Sequence, residues 1–517
     1  MAEHSFADYA LRLHPSDSVA VLKRPLPAGT TLSDGTLRLT ARADIPAGHK
    51  LALAEIAEEA PVRKYGQVIG FAKARIAPGD HVHTHNLGAK DFGRDYQFGT
   101  EVRPVAFYPA GQMRHFQGYL RPDGRVGTRN YLAVISNVNC SASVARHVAE
   151  RFKGPELQRD FPGVDGVLAF THKGGCGLQT TEPNQVLQRV LAGLARHPNI
   201  SGYVMIGLGC EVTQLQFLVR DHHLDKLRPG EAAPAFLHIQ NAGGTRKTVE
   251  AGVAAVAKLL PAANALRRTR QPVSKLILAL NCGGSDANSG ITANPALGAA
   301  SDELVRYGGA SVLAETPEIY GAEHLLTRRA VSRAVGEKLI ALIRWWEAHV
   351  RLFDASIDNN PSFGNKEGGL TTIYEKSLGA VAKGGQSPLQ AVYQYAEPIV
   401  STGFCFMDTP GYDPVSMTGL VTGGCNIGVF TTGRGSVYGC KPAPCLKVAT
   451  NTPMYRHMEE DMDLNAGTIL DGTETVPQVG RRIFELLLAV AGGTKTKSEL
   501  AGIGDEEFAP WMLGPTF

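Results

Sequence analysis

Residues 12–87 alternate apolar and polar positions in short runs, the period of half-buried β-strands. Strands are predicted at Ser18–Leu22, Leu37–Thr40 and Gln67–Phe71. Between them a small echo recurs, Leu26-Pro27-Ala28-Gly29, Ile45-Pro46-Ala47-Gly48 and Ile76-Ala77-Pro78-Gly79. Pro presets φ and Gly accepts positive φ, so each copy predicts a tight turn. A small all-β domain over 1–87 follows, ending in His81-Val82-His83-Thr84-His85-Asn86. Residues 88–117 lose periodicity and read as a linker. From Gly118 strands alternate with helices. Tyr131–Ile135, Gly166–Phe170 and Gly202–Gly207 predict buried strands, and Ala142–Phe152 a helix. This predicts an α/β domain over 118–266 with a mostly parallel sheet. The basic stretch Arg267–Pro272 reads as a break. A second, larger α/β domain over 273–517 opens with a strand at Lys275–Leu280. It continues with helices at Glu337–Phe353 and Val479–Ala491 and a strand at Ile427–Phe430.

Composition narrows the function classes. A chain of 517 residues, 43% hydrophobic and 20% charged, can bury the cores of two to four domains at roughly 100–200 residues each. Its 52 basic and 49 acidic residues leave a net charge of +3, which disfavours a nucleic-acid-coating role. No run approaches the roughly 18 apolar residues of a membrane span, and Met1–Tyr9 lacks a signal-peptide pattern. A cytoplasmic protein with reduced thiols is the expectation, since eight cysteines are too sparse for a disulfide framework.

The cysteines carry the first chemical signal. Cys140, Cys176, Cys210 and Cys282 each follow a predicted strand, and most lie beside glycines. Ligands of open α/β sheets bind outside the carboxyl ends of strands. Thiolates there suit soft metals or iron–sulfur clusters, although Cys is also a common buried core residue. The three histidines at 81, 83 and 85 would share one strand face, ready to bind a divalent metal or exchange protons. Asn360–Thr372 reads as a shaped loop in which Lys366, with Lys376 beyond it, offers a cation for a carboxylate or a base for an α-proton. Thr431-Thr432-Gly433-Arg434-Gly435-Ser436 suits a carboxylate or polyol. Neither a P-loop nor a dinucleotide-binding glycine fingerprint is present. The acidic Glu459–Asp463 reads as a solvated helix face.

Taken together, the segments His81–Asn86, Gly127–Asn130, Gly174–Cys176, Ile206–Glu211, Cys282–Pro295, Asn360–Gly369 and Thr431–Gly435 resemble the altronate/galactarate dehydratase family of sugar-acid hydro-lyases. The resemblance covers nearly the whole chain. It implies a β-clip (SAF-like) N-terminal domain, a linker, a second domain and a Rossmann-like C-terminal catalytic domain. It also implies a homodimer that acts on a small-molecule sugar acid and needs no membrane or nucleic acid. The reaction it implies is loss of water from a 2,3-dihydroxy acid to give a 2-keto-3-deoxy acid, of altronate or galactarate type. A sulfolactate-type C–S lyase of the same family and a non-catalytic sugar-acid-binding protein are the alternatives.

Iron dependence is part of the resemblance. The cysteine positions then place Fe(II), with Mn(II) as a substitute, or a labile iron–sulfur centre, at Cys176 and Cys282, joined by Cys140 and Cys210. Arg129, Asn294, Thr432 and Arg434 would hold the substrate. Lys366 or Lys376 would take the α-proton, and His83 or His85 would protonate the leaving hydroxyl.

Overall fold

The computed structural model describes residues 3–225 and 233–516. In the N-terminal β domain, Ala10–Leu11, Val19–Leu22, Lys50–Ala52 and His81–Val82 form an antiparallel sheet in that order. Two three-stranded sheets flank it. The three Pro/Gly turns form as expected, with Gly29, Gly48 and Gly79 at φ of 79°, 81° and 85°. The isoleucine or leucine opening each turn is buried. Only His81 and Val82 of the histidine run are strand; His83 to Asn86 turn back, so His85 is exposed.

The second domain holds four parallel strands, Gly166–Phe170, Tyr131–Ser136, Ile200–Gly207 and Ala235–His238 in spatial order. Apolar clusters cover both faces, which is why its strands read as continuous hydrophobic runs. The C-terminal domain holds seven parallel strands. Their spatial order is Leu389–Tyr393, Gly403–Met407, Ala310–Leu313, Ile277–Cys282, Ile427–Thr432, Cys445–Ala449 and Leu464–Asn465. The chain starts at Ile277–Cys282 in the middle, builds outward on one side, then returns to build the other. The reversal falls beside Cys282, and such a switch point opens a crevice at the strand ends.

Helix Val476–Ala491 shows why the helical spacing holds. Val479, Ile483 and Leu487 bury one stripe, a Thr475/Gln478 capping box closes its first turn, and Gly480 lets it approach Ala299 of the facing helix.

Three sequence expectations change. The linker ends before 117, because His115–Leu120 is a strand. It pairs antiparallel with Thr269–Pro272, inside the stretch read as a break. Only Phe116, Gly118 and Tyr119 of that strand are buried, so its alternation is too weak to read. The acidic Glu459–Asp461 is a turn after helix Thr452–His457, not a helix face, with Glu459 and Glu460 exposed. Among the described residues no helix is long and apolar enough to cross a membrane.

The small domain docks on the C-terminal domain through one continuous core that contains Ile56, Val62 and Ile69 together with Leu297 and Phe404. Polar contacts reinforce it. Lys50 and Lys64 both pair with Glu375 at 2.9 Å, all three side chains almost fully buried. Thr372 Oγ1 donates to the Ile69 carbonyl.

Candidate active site

Three strand ends of the seven-stranded sheet converge. Cys282 closes the central strand. Glu315 follows Ala310–Leu313 in a left-handed conformation, φ 71°, and Glu318 sits in the short turn Thr316–Ile319. Asp413 opens the helix that follows Gly403–Met407. Helix Ile373–Val381 adds Lys376, and the next turn adds Lys383. Gly283 is required here: a Cβ at that position would lie 2.3 Å from Asp413 Oδ2.

The contacts are close. Lys383 Nζ lies 3.0 Å from Cys282 Sγ and 3.3 Å from Glu315. Lys376 Nζ donates to Glu318 at 2.6 Å and to Asn360 Oδ1 at 2.8 Å, while Asn360 Nδ2 donates to Glu318 at 2.8 Å. One ligand atom each from Cys282, Glu315 and Glu318 lies within 4.8 Å of the other two. Beside them opens a hollow of about 260 Å³, lined by Cys282, Glu318, Asn360, Lys376 and Asp413 among others.

Burial and three neighbouring carboxylates set the protonation. Burial and then Glu318 push Asp413 up to about 7, and the same influences hold Glu315 well above the usual carboxylate range. Burial pushes the Cys282 thiol up to about 11, against the opposing pull of Lys383. Burial disfavours the Lys376 charge, but Glu318 and Cys282 outweigh it and raise its pKa. Lys376 is therefore an ammonium ion at neutral pH and serves as a cation. In that state it has no lone pair with which to accept a proton. Perturbed, mutually interacting groups in a cleft are a common mark of catalytic sites.

The other expected residues are not all brought here. Cys140, Cys176 and Cys210 are exposed thiols after three adjacent strands of the second domain. Their loops are tied by Asn139 N donating to the Gly174 carbonyl and Val212 N to the Gly175 carbonyl. Cys282 belongs to the other sheet, so a single four-cysteine centre does not assemble. Arg129 is fully buried and committed to Glu499 at 2.6 and 2.8 Å and to the carbonyls of Thr128, Val490 and Thr494. It clamps two domains together instead of facing a substrate. Asn294 donates to the Gly379 carbonyl and accepts from Thr431, and Thr432 Oγ1 accepts from the Gly435 amide; both are buried. Lys366 lies half-buried on a short helix and lines neither hollow.

Arg434 faces a second, larger hollow of about 860 Å³ across the Gly283–Asn288 segment. Lys23, Arg24, Asp286, Asn288 and Glu367 also line it, with Arg434 3.3 Å from Glu367. His83 and His85 lie outside the smaller hollow; burial and the charge of Lys50 push His83 down to about 3, so it is a neutral imidazole and a poor proton donor. Sequence reasoning missed Glu315, Glu318, Asp413, Lys383 and Asn360. The strand-end rule applied to the cysteines could not reach the carboxylates, because the strands Ala310–Leu313 and Gly403–Met407 that precede Glu315 and Asp413 were not picked out along the chain.

Acid–base groups gather at the switch point of a parallel sheet, and the dehydratases to which the chain is similar make it a carbon–oxygen lyase of the hydro-lyase class. Within that class the chain belongs to the altronate/galactarate dehydratase family. Family models for the SAF domain, the second domain and the C-terminal domain of altronate/galactarate dehydratases match residues 8–90, 118–264 and 273–516. Altronate dehydratase of Escherichia coli is 35% identical over 95% of this chain and 96% of its own. Galactarate dehydratase (L-threo-forming) of the same organism is 36% identical over 94% and 93%. The (2R)-sulfolactate sulfo-lyase subunit beta of Chromohalobacter salexigens is 31% identical over 76% of this chain and 96% of its own.

Proposed function

We propose that the chain dehydrates a sugar acid, an altronate-type aldonate or a galactarate-type aldarate, to its 2-keto-3-deoxy acid. The observation that carries this reading is Asp413, poised near neutrality at the edge of a hollow that also presents the Lys376 ammonium. An α-proton is weakly acidic, so its removal needs a base matched to the working pH and charge stabilisation of the enediolate. In this reading the Asp413 carboxylate takes the C2 proton. The C2–H electron pair forms the enediolate, whose negative charge faces Lys376. Collapse of the enediolate expels the C3 hydroxyl, which leaves as water with the proton Asp413 has just taken. The resulting enol tautomerises to the 2-keto acid. Asn360 holds Lys376 and Glu318 in register.

The donor set of Cys282, Glu315 and Glu318 fits one ferrous ion, with three donors within 4.8 Å and thiolate and carboxylate ligands of suitable kind. Iron(II) bound there would add positive charge beside the substrate carboxylate. We read the C-terminal sheet as a Rossmann-like variant.

The test is anaerobic protein with Fe(II) and thiol, offered altronate, galactarate, galactonate, gluconate, arabinonate and sulfolactate. A 2-keto-3-deoxy product from an aldonate or aldarate is expected; sulfite release from sulfolactate alone would overturn the reading. Cys282→Ser is expected to lose activating iron. If it keeps that iron while Cys140→Ser, Cys176→Ser or Cys210→Ser loses it, with absorption near roughly 400 nm in the parent, the iron belongs to a cluster in the second domain instead.

A further inference from the structure

We propose that His49, His81 and His83 form a separate site for a divalent first-row transition ion, where the small domain meets the C-terminal domain. The antiparallel register pairs Leu51 with His81 and Lys50 with Val82. One more step sets His49 opposite His83, and their ring centroids are 4.7 Å apart. His81 and His83, two residues apart, stack at 5.4 Å with planes 8° from parallel. One ring nitrogen from each of the three lies within 4.8 Å of the other two.

The nitrogens are prepared for an ion. His49 Nε2 is 3.1 Å from the Glu367 carbonyl, which can only accept, so Nε2 carries the proton and Nδ1 presents a lone pair. A carbonyl holding the far nitrogen is the usual support of a metal-bound histidine. His49 Nδ1 faces His81 Nε2 at 2.9 Å. Tetrahedral Zn–N bonds of about 2.0–2.1 Å set ligand nitrogens about 3.4 Å apart, so this pair needs to open by only about half an ångström. The hydrogen between them moves to His81 Nδ1 when the ion enters. His83 Nδ1 is buried and has no hydrogen-bond partner, a cost that a metal bond or a bonded water removes.

The nearest cation, Lys50, is turned away to Glu375 and the Gly369 carbonyl, so its charge is matched elsewhere. Three neutral imidazoles leave one tetrahedral position open. Cys282, Glu315 and Glu318 take no part, and the two sites are separable by mutation.

The experiment strips the full chain with chelator, then titrates Zn(II) calorimetrically and Co(II) by visible absorption. One equivalent is expected to disappear in His49→Ala/His83→Ala and to persist in Cys282→Ser. Zn(II) should raise the Tm of the parent and of Cys282→Ser by more than that of the histidine variant. His83→Ala alone, which leaves the His49–Glu367 contact in place, guards against misfolding of the double variant and should weaken binding at least tenfold. Unchanged stoichiometry and Co(II) spectrum in both histidine variants would overturn the proposal. So would a parent that binds no ion beyond the one lost in Cys282→Ser.

Discussion

Asp413 sits where two influences meet, and their balance makes it useful. Burial and the adjacent Glu318 favour its neutral form, while Lys376 and Lys383 favour the ionised one. If Asp413 is the base, kcat/KM rises with pH through about 7 and then levels, because only the carboxylate accepts the α-proton. A pH–rate profile checks this, and Asp413→Asn should cost about a thousandfold in kcat, within the usual range for a positioned base. Gly283→Ala is a finer probe. Its Cβ would meet Asp413 Oδ2 at 2.3 Å and Cζ of the buried Phe430 at 2.5 Å, so kcat and stability should both fall, as kinetics beside thermal denaturation would show. Of this group only Cys282 and Lys376 were legible along the chain. Glu315, Glu318 and Asp413 are separated by up to about a hundred residues, and no local spacing links them.

Helix Ile373–Val381 divides its work between neighbouring residues. Successive side chains on a helix point about 100° apart. Glu375 therefore turns towards Lys50 and Lys64 of the small domain, while Lys376 turns towards Glu318 and Asn360. One helix thus anchors the small domain and furnishes the cation of the hollow. Glu375→Gln would leave two buried ammonium groups unpaired, and breaking such a pair costs about 3–5 kcal/mol. Denaturant unfolding should report that loss, with earlier release of the small domain. Burial opposes the Glu375 charge, but Lys50 and Lys64 outweigh it and hold its pKa below the usual carboxylate range. Its contribution is thus full above about pH 4.3, the unfolded value, and is lost as pH falls further. Acid titration of the parent against Glu375→Gln checks the sign. The small-domain strands and Pro/Gly turns were readable from alternation and turn residues, but this seam was not.

At the scale of the whole molecule, buried charge pairs join the domains. Arg129 and Glu499 tie the second domain to the C-terminal one. Arg129→Ala should cost about 3 kcal/mol of stability as a broken buried pair and leave KM for substrate unchanged. A raised KM with unchanged stability would instead restore Arg129 to the substrate site. The strand–helix alternation, the family motifs and the place of Cys282 at a strand end were set by the sequence alone, because periodicity and glycine-flanked turns are local properties. Which strand ends meet was decided by the order of strands in the sheets. That order separated Cys282 from Cys140, Cys176 and Cys210, and gathered the carboxylates around Cys282. It also turned Arg129 into a clamp, Lys376 into a paired cation, and His49 into the neighbour of His81 and His83. Burial and charge–charge coupling act through space, so protonation and partnership follow from the packed fold and not from the order of residues.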